Sequence, residues 1–296
     1  VELASQFLPQ GAPVVSTRGV HSEPMTFEVT TRGGDTGRRL VVMVNQYSAS
    51  ASEILAGALQ DNDRGLVVGR RTFGKGLVQR PFPFPDGSMI RLTTARYYTP
   101  AGRCIQKPYA KGKGEEYQLD MLNRYKSGEL WSTDSIHFDE KLKYSTLHNG
   151  RTVYGGGGIM PDVFVPVDTT MYSPYYRDLV AKGIVNTFII NKVEKNRSAL
   201  LAQYPDEDTF YARFEIAPDD EQALIAAAAK EGLEFNEEQW QRSAVIIRAM
   251  LKGLMARDLY DNGSYVRSTN PHNPVFTEAV RLISDPERYR SLLQGH

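Results

Sequence analysis

A single cysteine, Cys104, is all the thiol chemistry in 296 residues, so no internal disulfide can form and no cysteine cluster can hold a metal. Cys104 follows Pro100-Ala101-Gly102-Arg103 and reads as a packing or turn residue rather than a nucleophile. Histidine is also scarce. His21, His137, His148, His272 and His296 fall in polar loops or at the end of the chain, with no metal-ligand spacing and no triad arrangement with an acidic residue. Net charge is absent, since Lys plus Arg and Asp plus Glu number 35 each. No global field therefore draws nucleic acid or an anionic membrane. No apolar run approaches the roughly 20 residues that span a bilayer, and no secretory leader is recognisable. Gly-x-Ser-x-Gly is missing as well, which argues against an α/β-hydrolase.

What is present points to a folded protein of more than one unit. With 41% of its residues hydrophobic, the chain can bury one large core or two smaller ones. Residues 1–8 read as the rear of an amphipathic helix, with Leu3, Phe7 and Leu8 on one side, and because Val1 is not methionine, a preceding segment is expected. Residues 13–18 and 25–31 are strand-like, followed by the turn-rich Arg32-Gly33-Gly34-Asp35-Thr36-Gly37. Residues 40–45 form a β-branched and apolar run, read as a strand buried on both faces. A helix over 50–61 and a strand over 66–69 complete a strand-helix-strand crossover, whose functional edge is the carboxyl end of the first strand.

Residues 77–83 and 88–98 flank Phe84-Pro85-Asp86-Gly87 and should pair as a hairpin. Residues 107–157 have the composition of an insertion, with Lys111-Gly112-Lys113-Gly114, a helix over 115–126 and a run of four glycines at the end. Strand character resumes over 159–165. From Thr169 the pattern is helical, and Trp240, Ala244, Ile247, Leu251 and Leu254 recur at four-three spacing. The expected division is therefore 1–168, with the insertion at about 107–157, and a helical domain over 169–296.

Ser48-Ala49-Ser50-Ala51-Ser52-Glu53 and Phe73-Gly74-Lys75-Gly76-Leu77-Val78-Gln79 are the stretches that can carry chemistry. Ser50 to Glu53 is a capping box, yet the same geometry puts free amides and the positive end of a helix beside Ser50, where the Ala51 amide could receive an oxyanion. Ser48 and Ser52 are rival nucleophiles on spacing alone. Lys75 reads either as a solvated turn residue or as a base. In the second role it must lose its charge near neutral pH, which needs burial or a neighbouring cation; Phe73, Leu77 and Val78 are the available apolar wall. On a regular strand Gln79 would share a face with Leu77 and could orient the lysine amine. Gly69-Arg70-Arg71-Thr72-Phe73-Gly74-Lys75 also begins like a phosphate loop, but Gly76 stands where Ser or Thr is needed and a strand pattern follows.

The run over 41–106 resembles the carboxyl-terminal processing proteases, also called tail-specific proteases. The likeness is carried by Val44-Asn45, Ser48 to Ile54, Ala56-Gly57-Ala58-Leu59, Thr72-Phe73-Gly74-Lys75-Gly76, Tyr98-Thr99-Pro100-Ala101-Gly102 and Gly158-Ile159-Met160-Pro161-Asp162. It implies an α/β, crotonase-like catalytic core, incomplete at its N-terminus, followed by a mainly helical C-terminal domain. It also implies a serine endopeptidase in which Ser50 is the nucleophile, Lys75 the base and Gln79 the assisting residue, with no cofactor or metal. Substrates would be proteins with unstructured apolar C-termini, in a bacterial envelope or plastid lumen. The longer forms that the tail resembles place it in the periplasm or envelope of a Gram-negative bacterium. A PDZ domain and the strand giving a second oxyanion donor would lie before Val1, and dimerisation would use the helical tail. The rival reading is a non-catalytic protein that binds peptide tails or acts as a scaffold.

Overall fold

Runs of Val, Thr and aromatic residues between prolines and glycines become strands, because their stiff side chains favour a pleated backbone. The computed structural model describes residues 1–31, 33–35, 37–108, 112, 114–136 and 139–296. Arg32, Thr36, Lys111, Lys113 and His137, on which parts of the sequence reading fall, lie outside the described residues. The strands are β1 (Pro13–Gly19), β2 (Ser22–Glu28), β3 (Val41–Val44), β4 (Leu66–Gly69), β5 (Leu77–Pro83), β6 (Met89–Tyr98), β7 (Lys143–Ser145), β8 (Thr152–Tyr154) and β9 (Val163–Phe164). The helices are α1 (Glu2–Ser5), α2 (Ala51–Asp61), α3 (Gly114–Lys126), α4 (Pro174–Ala181), α5 (Ile184–Gln203), α6 (Glu207–Arg213), α7 (Pro218–Lys230), α8 (Glu237–Leu259), α9 (Asn262–Thr269), α10 (Pro274–Ser284) and α11 (Pro286–Leu293). The chain is thus mixed α/β and forms two compact units, Val1–Val167 with Glu278–His296, and Asp168–Thr277.

In the first unit, β2-β1-β6-β5 make an antiparallel sheet and β3-β4-β9 a parallel one. β3, α2 and β4 form the crossover, with Val41 opposite Leu66 and Val44 opposite Gly69. Helix α2 lies between two apolar clusters. Ala58 and Leu59 join Leu8, Val14 and Val29 in one, and Ala56 joins Val44, Val67 and Ile159 in the other. Burial of Leu59, Val67 and Ile159 in this way contributes about 1.5–3 kcal/mol for each side chain.

Three details differ from the sequence reading. β3 is not buried on both faces: Met43 is 46% exposed and Val41 and Val42 are half-buried. Among the described residues β3 pairs with β4 alone, whereas all four residues of the central β4 are buried. A continuous apolar run looks the same in either position. The expected strand over 159–165 contracts to Val163–Phe164: the Ile159 amide donates to Thr72 Oγ1 instead of to a strand, while the Asp162 and Val165 amides still donate to the Val67 and Gly69 carbonyls of β4. Finally, residues 278–296, read as part of the tail, group with the first unit. The Tyr289 hydroxyl donates to the Leu40 carbonyl at 2.9 Å and accepts from the Leu40 amide at 3.0 Å, and Arg39 Nε donates to the Ile283 carbonyl.

The second unit is helical in its regular structure. Its core includes Tyr175, Ile189, Phe210, Leu224 and the buried stripe Trp240, Ala244, Ile247, Leu251 and Leu254 of α8. Phe210 and Phe214 stack at 4.5 Å between centroids, with Tyr204 edge-on to both.

Tyr289→Phe should lower stability by about 1–2 kcal/mol, because it leaves the Leu40 amide without its partner and the Leu40 carbonyl with the Leu66 amide only. Urea unfolding followed by tyrosine and tryptophan fluorescence measures this; an unchanged midpoint would mean that water replaces the hydroxyl.

Candidate active site

At the head of α2 the backbone is strained. Ser50 has φ 61° and ψ −118°, a region that a residue with a Cβ rarely occupies and that persists only when surrounding contacts fix it. Those contacts converge on Glu53, which is 0% exposed. Its Oε2 accepts from the Ser50 amide at 2.9 Å and from the Lys75 amide at 2.8 Å. Its Oε1 accepts from the Gly74 amide at 2.6 Å and the Thr72 hydroxyl at 2.5 Å. One carboxylate therefore satisfies four donors and holds the serine and lysine backbones on the same oxygen atom.

Three amides and the N-terminal end of α2 surround this carboxylate, and both favour negative charge. Thr72 extends the network, since its hydroxyl accepts from the Ile159 amide at 2.6 Å while donating to Glu53. The Phe73 amide donates to the Ser48 carbonyl at 2.9 Å, which ties the lysine turn to the serine loop a second time. Gly74 has φ +85°, and a Cβ there would lie 3.0 Å from Lys107 Cβ and 3.1 Å from the Gly158 nitrogen. Both conformation and space thus require glycine at that point.

Ser50, Ala51 and Lys75 are exposed, and among the described residues no hydrogen bond joins the Ser50 and Lys75 side chains. Lys75 is thus not buried as the apolar wall expected around it would require. The Phe73 ring instead faces Lys107 Nζ at 4.3 Å and meets the Tyr117 ring edge-on at 6.5 Å. Gln79 is exposed on β5, and opposite it β6 carries one extra residue, since Val78 pairs with Ala95 and Gln79 with Thr93. Ser48 Oγ accepts from the Asn45 amide at 3.1 Å, so this rival to Ser50 is engaged within its own turn. Ser52 is exposed in the first turn of α2, and Cys104 Sγ donates to the Gln106 carbonyl at 3.8 Å.

The other end of α2 carries a charge network that sequence reasoning missed. Asp61 is fully buried; it accepts from the Ala101 amide at 2.9 Å and pairs with Arg103, which also donates to Gln60 Oε1. Arg151 bridges Asp63 at 2.8 Å and Asp162 at 2.6 Å. Burial pushes the Asp162 carboxyl above its ordinary range against the pull of Arg151. For Asp63, burial is outweighed by bonds from the Asn149 amide and Arg151, which hold its carboxyl below the usual value. The signal available in the sequence was Asp61-Asn62-Asp63 closing an apolar helix, but nothing in the spacing identified the arginines that meet it.

Behind the lysine turn, Glu129 is shared by Arg71 and Arg124, at 2.7 and 2.8 Å. Burial raises its carboxyl, but the two guanidinium groups outweigh burial and hold it below the ordinary 4.5.

Two outcomes are expected. Glu53→Gln should cost about 3 kcal/mol or more, because an amide presents one acceptor oxygen to four donors and leaves buried amides unpaired; chemical denaturation measures it, and a loss below about 1 kcal/mol would contradict the arrangement. Because the Glu129 and Asp63 values are depressed on folding, their contribution is present above the unfolded carboxyl range and is lost as pH falls through the lower folded values. Glu129→Gln should therefore flatten the acid side of a stability-against-pH curve, and an identical acid limb would contradict the pairing.

Residues 1–112 match the family model described as Peptidase family S41, and residues 175–261 match a family of unknown function, DUF8443. A carboxyl-terminal-processing protease of Synechocystis is 47% identical over 109 residues, covering 36% of this chain and 25% of the relative. A chloroplastic C-terminal processing peptidase of Tetradesmus obliquus is 54% identical over 86 residues, covering 29% and 18%. A carboxy-terminal-processing protease of Bartonella bacilliformis is 43% identical over 107 residues, covering 36% and 24%. The solved structure titled photosystem II D1 C-terminal processing protease has 42% identity, covers 35% of this chain and 27% of its own, and gives a TM-score of 0.34. The chain spans about a quarter or less of the length of these curated relatives. Over residues 1–112 the chain is therefore similar to peptidase family S41 and, within it, to the carboxyl-terminal-processing proteases.

Proposed function

We propose that the whole protein is a serine endopeptidase that cleaves protein substrates near their C-termini through a Ser50–Lys75 dyad. The observation that carries this reading is the shared acceptor: the Ser50 and Lys75 amides lie 2.9 and 2.8 Å from one buried oxygen of Glu53. A cap alone needs Glu53 to reach back to Ser50; it gives no reason for the same oxygen to hold residue 75.

In the proposed mechanism the neutral Lys75 amine takes the Ser50 hydroxyl proton as the oxygen attacks the scissile carbonyl. The carbon–nitrogen bond then breaks, the lysine proton passes to the leaving amine, and an acyl-enzyme remains for water to hydrolyse. The Ala51 amide, first in α2, precedes the helix's internal hydrogen bonding and can donate to the oxyanion. Gln79 orients the amine. Lys75 is exposed in this structure, so bound substrate and further parts of the whole protein must supply its desolvation. The core is crotonase-like, substrates carry unstructured apolar C-termini, and the setting is the envelope of a Gram-negative bacterium. Among the described residues no helix is long and apolar enough to cross a membrane. The exposure of Lys75 favours one rival, a protein that binds tails without cleaving them.

Cleavage of an unfolded polypeptide with an apolar tail by the full-length protein decides between them. Ser50→Ala and Lys75→Ala should each lower kcat/KM by about a thousandfold or more. Cleavage unaffected by both changes would end the dyad reading, and binding without product would favour the rival.

A further inference from the structure

The lysine turn over residues 71–76 has no regular hydrogen-bond ladder, so its position depends on groups brought from elsewhere. Most of its peptide groups can be traced to such partners. The Thr72 amide donates to the Ile159 carbonyl at 3.1 Å, the Phe73 amide to Ser48, and the Gly74 and Lys75 amides to Glu53. The Gly76 amide donates to Gln106 Oε1 at 2.9 Å, and the Gly74 and Gly76 carbonyls accept from the Lys107 and Tyr97 amides. For the carbonyls of Arg71 and Thr72, α3 supplies the donor. Arg124 Nη2 reaches the Arg71 carbonyl at 2.6 Å and Nη1 the Thr72 carbonyl at 3.0 Å.

Arg124 is itself fixed. Its side chain is 3% exposed and its Nε donates to Glu129 Oε1 at 2.8 Å. The same carboxylate holds Arg71, whose Nη1 donates to the Gly157 carbonyl at 2.9 Å. One turn and two turns earlier on the same face of α3, Asp120 and Tyr117 hold Lys107. Its Nζ lies 3.0 Å from Asp120 Oδ2 and sits over the Tyr117 and Phe73 rings at 4.1 and 4.3 Å. The insertion over 107–157 is therefore not a solvated decoration, since Arg124 and Tyr117 of its helix meet the segment that carries Lys75 and Asp120 holds the Lys107 amine that faces Phe73.

We infer that Arg124 is a positioning residue for Lys75, acting through the Arg71 and Thr72 carbonyls, and that docking of α3 sets whether the lysine stands where it can take the Ser50 proton. The inference rests on the Ser50–Lys75 reading above. A planar guanidinium can bridge two adjacent carbonyls, whereas an ammonium at the end of a lysine stem is a point donor that serves one well. Small displacements of a proton acceptor are costly, up to about a hundredfold in rate for about 1 Å.

The test uses the full-length protein with Arg124→Ala, Arg124→Lys and, should the first fail to fold, the near-isosteric Lys107→Met. Arg124→Ala is expected to lower kcat about tenfold or more with KM within about twofold, to displace the pH midpoint of kcat, and to speed hydrogen exchange at the Gly74, Lys75 and Gly76 amides about tenfold. Arg124→Lys should recover part of kcat. Lys107→Met should speed the same exchange and lower kcat in the same sense. Unchanged exchange and an unchanged kcat profile in folded variants would overturn the inference while Lys75→Ala remained inactive. Full activity of Lys75→Ala would overturn the dyad reading itself and this inference with it.

Discussion

A buried carboxylate with four convergent donors is the constraint on which the rest of the first unit depends. Glu53 has no exposed surface, and its two oxygens receive three amides and a hydroxyl from segments twenty residues apart in sequence. An apolar residue at that point would leave each donor unpaired, and an amide would oppose its own donors to some of them. The left-handed backbone at Ser50 is a consequence. A strained conformation at a helix start is held because the amide it presents finds a charged acceptor inside the fold.

The two ends of α2 are organised alike, although by different chemistry. At its head the donors are peptide groups; at its foot they are mainly arginines, with Arg103 on Asp61 and Arg151 on Asp63 and Asp162. Buried charge pairs return little net stability, because desolvation consumes most of their attraction, but each fully satisfied pair penalises every arrangement that breaks it. Between these ends the small residues Ala56, Gly57 and Ala58 let the helix lie close to its neighbours. Its axial position and its rotation are thereby fixed, and with them the direction in which Ser50 faces. The Gly158-Ile159-Met160-Pro161-Asp162 segment closes the frame: Ile159 meets Thr72 at one end and Asp162 meets Arg151 at the other.

Much of this architecture was legible in the chain. The crossover over 41–69 follows from a β-branched run, a helical apolar spacing and a second apolar run, and the hairpin from Pro85-Asp86-Gly87 between strand-like stretches. Ser50 and Lys75 could be singled out because a capping box and a glycine-flanked lysine are local patterns. Their common acceptor could not, because Glu53 was already explained as half of a cap, and its bonds to residues 72, 74 and 75 are long-range. The environment of Lys75 was misjudged for a similar reason. Phe73 is adjacent in sequence, but its ring is taken by Lys107 and Tyr117. Arg124 lay inside a polar stretch whose composition resembled a surface insertion, and a charged residue buried through two carbonyls and one carboxylate leaves no trace in periodicity. The bulge of β6 at Thr94, opposite Val78 and Gln79, is equally silent, since one extra residue in a strand changes phase without changing composition.

The central claim is that Ser50 is a nucleophile armed by Lys75 within the frame that Glu53 builds. Its most direct measurement is peptide-resolved mass spectrometry of the full-length protein after reaction with a serine-directed phosphonate. The account predicts a covalent adduct on Ser50 that fails to form in Lys75→Ala at equal folded concentration. An adduct on Ser48 or Ser52 in its place, or equal labelling of Ser50 with and without the lysine, would contradict it.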